Sequence, residues 1–260
     1  MIQLKGRPLG RPFALHCQNA SLYSCIKSKQ ANNLALFQSK TYYLHMSFPT
    51  THAVLTGDFI DSRRADLVSL DTAMEALSSA MPVLAEDSGL DLPLPFHRFR
   101  GDGWQVFHPD PQASLRTALR LIARLAASGT GLKTRIAIGI GQATLSADHN
   151  LATSHGPAFV QAGLLLDDMD RTDRLILAYD AGQMHCAMTG LVDVMSRSWT
   201  KAQGEALFLA LASGDEPTQE EIAKHLGVTR QAIQQRLAAT GHNQLKEALY
   251  AFEATLRDPS

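Results

Sequence analysis

The sequence predicts an α+β fold in two parts: a mixed part of strands and helices, then a small all-α part. Three observations carry this. Between His52 and Tyr179, short apolar runs alternate with stretches whose apolar residues recur every three or four positions. Strand signals stop after Tyr179. From Thr200 to about Arg257 only the helical period recurs. The chain has 260 residues and is 45% hydrophobic, enough for one large or two modest domains. No run of about 18 apolar residues marks a membrane span.

The first element is His52–Thr56, an apolar run ending at Gly57-Asp58 that reads as a buried strand. Leu67, Leu70, Met74, Leu77 and Met81 predict one amphipathic helix from Arg64 to about Ala85. Leu94–Phe107 holds two short strands around Gly101-Asp102-Gly103, a hairpin with glycine where φ must be positive. A second helix spans Asp110–Ala127, with Leu115, Leu119, Ile122 and Leu125 on one face. Thr134–Ile140 is a strand, Gly156–Met169 a third helix and Arg174–Tyr179 a further strand. This order opens with the βαββαβ unit of ferredoxin-like folds and adds one more helix and strand. The expected division is an extension over 1–46, a sheet domain over 50–180, a connecting helix and linker over 181–199, and a helical domain over 200–257.

Charge is uneven. Residues 1–46 hold six basic residues (Lys5, Arg7, Arg11, Lys27, Lys29, Lys40) and no acidic one. With those six removed from the 24 basic residues, 18 remain against 25 acidic ones, about −7. This segment is acid-poor, has no apolar periodicity and is superficially like a transit peptide. It is expected to be disordered or an upstream extension, with Met46 as the start. Cys17, Cys25 and Cys186 form neither a metal-ligand spacing nor a disulfide framework, which fits a reduced cytoplasmic setting.

Asp58 ends the first strand and Asp102 sits in the hairpin turn. In a ferredoxin-like sheet the hairpin's second strand lies antiparallel beside the first, so both carboxylates are expected at one sheet edge. Two carboxylates held that close repel unless a cation lies between them. Mg²⁺ or Mn²⁺ completed by nucleoside triphosphate oxygens suits such oxygen ligands. The backbone N–H groups of Phe59, Ile60, Asp61, Ser62 and Arg63 are expected to cradle phosphate, with Arg63 and Arg64 adding charge. The alternative is that both Gly-Asp pairs are ordinary turns.

The segments TGDFIDSRR, FRGDGWQVF, RIAIGIG and HGPAFVQAGLLL resemble, in order, the class III nucleotidyl cyclase catalytic domain, in its divergent bacterial SatD-type form, over about residues 50–180. The resemblance implies two metal ions on Asp58 and Asp102, and it puts Arg98 where that family has a base-recognising Lys. It also implies a head-to-tail homodimer. In active cyclases the third helix carries an Asn and, four residues on, a transition-state Arg; here those positions are Val160 and Leu164, and Gln161 is the nearby polar substitute. Phosphoryl displacement without that cation loses orders of magnitude in rate, so binding is expected without efficient turnover.

The stretch TQEEIAKHLGVTRQAIQQRL (Thr218–Leu237) reads as a helix, a tight turn at Gly227 and a second helix, and resembles sigma-factor and MarR-like regulators. Thr218 with Glu221 forms a capping box, Gly227 takes the left-handed turn, and Thr229 caps the second helix. Thr229, Arg230, Gln231, Gln234, Gln235 and Arg236 are expected to face double-stranded DNA, since Arg reads guanine and Gln reads adenine in the major groove. Leu245, Leu249, Phe252 and Leu256 mark a following helix suited to a dimer contact. His149, His155, Asp167, Asp168 and Asp170 read as solvated surface residues, Trp104 as packing and Cys186 as a semi-buried thiol. Together these features predict a dimeric, nucleotide-responsive DNA-binding regulator. The alternatives are a metal-dependent nucleotidyl cyclase or related transferase with a DNA-targeting helical domain, and an adaptor that binds only protein.

Overall fold

Strand β1 (Thr51–Phe59) runs past the expected Thr56, because Gly57 and Asp58 stay extended and pair on both sides. It is central in a sheet with β2 (Phe96–Phe99), β3 (Gly103–His108), β4 (Thr134–Gln142) and β5 (Leu175–Ala178), ordered β2-β3-β1-β4-β5. β1 is antiparallel to β3 and β4, β2 is antiparallel to β3, and β4 is parallel to β5. The protein is therefore a mixed α+β molecule. The computed structural model describes residues 51–178, 183–214 and 216–256, all within one compact unit, Ser47–Ser260. The readings on residues 1–46, Tyr179 and Arg257 lie outside the described residues.

The single helix expected over Arg64–Ala85 is broken into a 3-10 turn (Ser62–Arg64), α1 (Leu67–Ser78) and α2 (Met81–Asp87). Pro82 explains the second break. It has no N–H to give the Ser78 carbonyl, but it fits the first turn of a new helix. Asp66 starts α1 by accepting from the Ser69 N–H at 2.8 Å.

The two sheet faces are covered differently. Ala53, Leu55, Phe59, Trp104, Val106, Ile136 and Ile138 join the main core with α1, α2 and α3 (Ser114–Ser128). Val54 and Phe107 face the other way, toward Ala158 and Ala162 of α4 (Pro157–Asp168). Gly139 lets α4 lie directly on β4, since a Cβ there would stand 2.2 Å from the Ala158 carbonyl oxygen. Gly57 has the same function opposite Trp104, whose ring would be 2.4 Å from an added Cβ. Trp104 is fully buried and donates its indole N–H to Thr134 Oγ1 at 3.1 Å, so it serves packing.

Beyond β5 come α5 (Gln183–Ser196), α6 (Lys201–Ala210), α7 (Gln219–Leu226), α8 (Arg230–Ala238) and α9 (His242–Leu256). Helix α3 is sandwiched between sheet and α6, and the helices touch at Gly204, where a Cβ would be 2.4 Å from the Ala123 carbonyl oxygen. Two buried arginines cross this contact. Arg116 donates to Glu253 Oε1 at 2.6 Å and to the Leu211 and Ala212 carbonyls at 3.3 and 3.4 Å. Arg120 donates to the Phe208 carbonyl at 3.0 Å and pairs with Asp87. The carbonyls they reach lie at the C-terminal end of α6, where a helix lacks internal partners. Leu245, Leu249, Phe252 and Leu256 of α9 are buried in the chain's own core, which corrects their reading as a dimer contact. Among the described residues, no helix is long and apolar enough to cross a membrane.

His108 ends β3 in full burial. Its Nδ1 accepts from the Asp110 N–H at 3.1 Å, which puts the neutral ring's proton on Nε2, 3.4 Å from Ser88 Oγ. Burial, opposed by the Asp110 charge, pushes its pKa down to about 4 from 6.5. The unfolded chain therefore binds the extra proton first as pH falls. Stability from this group is complete above pH 6.5 and is lost as pH drops toward 4. The expected loss is on the order of 3 kcal/mol. Urea titrations between pH 7 and pH 4 should show it, and His108→Gln should flatten that part of the profile.

Candidate functional site

The carboxyl end of β1 gathers most of the residues singled out on the sheet part. Asp58 lies opposite Gly103 in the β1–β3 register, and the Phe59 N–H donates to the Asp102 carbonyl at 3.3 Å. Asp58 and Asp102 thus come together at one sheet edge, because the hairpin returns its turn to the end of β1. The turn itself is built from Arg100 and Gly101, both at positive φ. Asp102 accepts from the Ser62 hydroxyl, which ties the turn to the segment after β1.

The Asp58 carboxylate is engaged by a residue the motifs did not single out. Arg135 of β4 lies directly opposite Asp58 in the β1–β4 register. Its Nε donates to Asp58 Oδ1 at 2.9 Å, and a terminal nitrogen pairs with Oδ2, a two-pronged contact. That hydrogen bond, against some burial, raises the Arg135 pKa further. Lys133 and Arg174 stand at the entries to β4 and β5, on the same edge, and line one small recess with Thr134 and Arg197. Burial first, then the Arg174 charge, pushes the Lys133 ammonium below the ordinary lysine range. The signal for these cations was in the sequence, as basic residues just before two apolar strand runs.

The amides expected to cradle phosphate divide into two groups. Those of Phe59 and Ile60 continue the sheet, donating to the Asp102 and Lys133 carbonyls, which leaves Asp61, Ser62 and Arg63 for any anion at this edge. Asp61 takes the left-handed conformation (φ 55°) just before the 3-10 turn. Successive amides in such a left-handed to right-handed sequence form an anion-binding concavity. Arg98 holds the hairpin: it donates to the Gly101 carbonyl at 2.8 Å and pairs with Asp71 at 2.7 Å.

Gln161 is not part of this edge. Its side chain lies by Gly141, which pairs with His52 at the other end of β1. Six residue steps along β1 lead from His52 to Asp58, about 20 Å along the sheet. The Gln161 Oε1 is buried there without a hydrogen-bond partner. Val160 and Leu164 project from α4 into solvent, and His149 and His155 are exposed. Cys186 is half-buried, as expected. Among the described residues, no three His, Cys, Asp or Glu side chains form a metal-ligand cluster.

The second region is α7, its turn and α8. The capping box is present: Thr218 accepts from the Glu221 N–H at 3.3 Å, and Glu221 accepts from the Thr218 N–H at 2.7 Å. Gly227 closes α7 in the left-handed conformation (φ 65°), and Thr229 caps α8 by accepting from the Ala232 N–H at 3.2 Å. Ile222, Ala223, Ile233 and Leu237 are buried between the helices and the main core. That packing turns Thr229, Arg230, Gln231, Gln234 and Gln235 outward, all exposed. Arg236 differs: it faces α6, 3.4 Å from Glu205 Oε2 and from the Ala202 carbonyl, and so anchors the helix.

No protein-family model matches the chain, and no curated protein is similar to it.

Proposed function

We propose that this chain is a dimeric, nucleotide-responsive DNA-binding regulator, in which α7 and α8 act as a helix-turn-helix and the sheet edge as the sensor. The observation that carries this reading is α8 itself. One short helix presents an Arg and three Gln side chains to solvent, with no acid between Thr229 and Leu245, on a two-helix frame closed by a left-handed glycine. Such a face suits base edges in the major groove, with Thr229 near a phosphate. The ferredoxin-like reading of the sheet part draws support from the order β2-β3-β1-β4 with its antiparallel pairings. The sensor draws support from the two carboxylates, the Asp61–Arg63 amides and the cations Arg63, Arg64, Arg135 and Lys133 at one edge. These residues fit a nucleoside triphosphate with Mg²⁺ or Mn²⁺, the anion taking the amides and cations and the metal the two aspartates. Arg135 already neutralises Asp58, so metal and guanidinium compete for one carboxylate. Val160 and Leu164 offer no cation for phosphoryl transfer, which favours binding over turnover.

The test is a mobility-shift titration on the DNA upstream of the protein's own coding region, with and without ATP or GTP plus Mn²⁺. A shift is expected at low salt, weakened about tenfold or more by Arg230→Ala with Gln234→Ala, since each lost base contact is worth about 1–3 kcal/mol. Nucleotide with Mn²⁺ should also raise the melting temperature of the wild type and not of Asp102→Ala. Absence of any shift at low salt would sink the regulator reading.

A further inference from the structure

We propose that the recess between α3, the end of α5 and the entries to β4 and β5 is an anion site, built for a doubly charged tetrahedral oxyanion such as phosphate. Lys133 leads into β4 and Arg174 into β5, two strands that lie side by side in parallel. Both side chains line the recess, whose volume of about 20 Å³ suits one water-sized group. Among the described residues no acid lines it, and neither cationic side chain has a hydrogen bond or ion pair. The two like charges act on each other instead. After burial, the Arg174 charge is the cause that holds the Lys133 ammonium below the ordinary lysine range, and no carboxylate opposes it. Like charges this close disfavour one another unless a counter-charge joins them.

The charge count names the class of ligand. Arg197, the third cation on the wall, is neutralised by Asp193 of α5. The neighbouring Asp173 likewise interacts with Arg197 and not with Lys133. Lys133 and Arg174 therefore keep two positive charges without a counter-ion. A dianion balances both, where a carboxylate or chloride would balance one. Arg197 adds a donor, because its Nε is buried with no hydrogen-bond partner among the described residues. Such a donor has given up water without replacement, which is destabilising until an acceptor reaches it. Only one oxygen of a tetrahedral ion fits within the recess, so the others face solvent and a phosphate monoester can enter by its free end. The apolar wall, Ile122, Leu125 and Ala126 of α3, keeps water from that oxygen and strengthens its contacts. The nucleotide edge shares only Lys133 with this recess. Thr134 lines the recess and accepts from Trp104 in the core, whereas Arg135, next along β4, turns to Asp58 on the opposite sheet face. The site stands whether or not the chain reads DNA.

Equilibrium dialysis of the full chain against inorganic phosphate, from about 10 μM to 10 mM in metal-free buffer, tests this. The wild type is expected to bind one phosphate per chain. Arg174→Gln and Lys133→Met should each weaken binding about tenfold or more, since each removes a charge-assisted contact. Arg171→Gln, which removes an exposed cation just before Arg174 and outside the recess, should leave it intact. Acetate, with one charge, should bind about tenfold more weakly than phosphate or worse. Methyl phosphate in the same dialysis separates the sources: equal or weaker binding assigns free phosphate, and tighter binding assigns a monoester. In phosphate-free buffer both recess variants should melt at or above the wild-type temperature, because each relieves a like-charge contact. Phosphate should then raise the wild-type melting temperature and not theirs. Binding that never saturates, that ignores Arg174→Gln and Lys133→Met, that falls equally in Arg171→Gln, or that acetate matches overturns the proposal. The site and the nucleotide edge fail separately. Asp102→Ala should abolish the response to nucleotide with Mn²⁺ and leave phosphate binding unchanged.

Discussion

Gly204→Val is expected to lower the stability of the whole chain by about 3 kcal/mol, the upper part of the overpacking range. Even the first carbon of a side chain at this position meets the Ala123 carbonyl oxygen at 2.4 Å and the Ala127 nitrogen at 2.8 Å. These atoms belong to the backbone of α3 and cannot swing away, so α3 and α6 must separate. For a chain of this size the change corresponds to a drop in melting temperature of about 6–12 °C. Gly163→Ala is the control. It is also a glycine within a helix, but nothing lies within 4 Å of its added carbon. It should hold or raise stability by up to about 1 kcal/mol, the helix propensity gained over glycine. Equal losses in both variants would mean that the α3–α6 contact is not tight. Calorimetry of the two side by side decides it.

Asp87→Asn should cost about 3 kcal/mol or more, because it leaves the Arg120 guanidinium buried with no counter-charge. Arg120 is 2% exposed, packs 4.7 Å from the centre of the Phe208 ring and keeps one neutral acceptor, the Phe208 carbonyl. Removing both charges with Arg120→Met and Asp87→Ala should recover part of the loss, since an apolar pair leaves no orphaned ion in the core. Denaturant titrations of the single and double variants separate the pair's coupling from simple loss of packing. A double variant as unstable as the sum of its parts would show that the two residues act independently.

Several features were legible before any coordinates, each for a local reason. The hairpin's glycines and alternating residues specify its turn, and antiparallel return of that hairpin beside β1 is enough to place Asp102 near Asp58. Thr218, Glu221, Gly227 and Thr229 sit at positions with defined capping and turn chemistry, so α7 and α8 were readable almost to the residue. The break within Arg64–Ala85 was not, because Leu70, Met74, Leu77 and Met81 keep their spacing up to Pro82. Periodicity reports which face is apolar and says nothing of a missing N–H. Arg135 was missed for a different reason. Its place opposite Asp58 depends on the β1–β4 register, which the crossover through α3 sets over 76 intervening residues. The apolar stripes of α5 and α9 look alike in sequence; only the tertiary fold shows that α9 spends its stripe internally, whereas Met184, Leu191 and Val194 of α5 stay exposed.

The reach of Arg116 and Arg120 into the end of α6 bears on how such a protein can be inherited or dissected. A chain cut between Trp199 and Thr200 would leave the first piece with two guanidinium groups on an apolar helix surface, stripped of Phe208, Leu211, Ala212 and Glu253. The second piece would lose the caps on α6 and the floor beneath α9. Neither half is a free-standing module. Shuffling α7 and α8 onto another sheet part, or the sheet part onto another helical part, would require rebuilding α3 as well, so the two parts should travel through evolution as one heritable block.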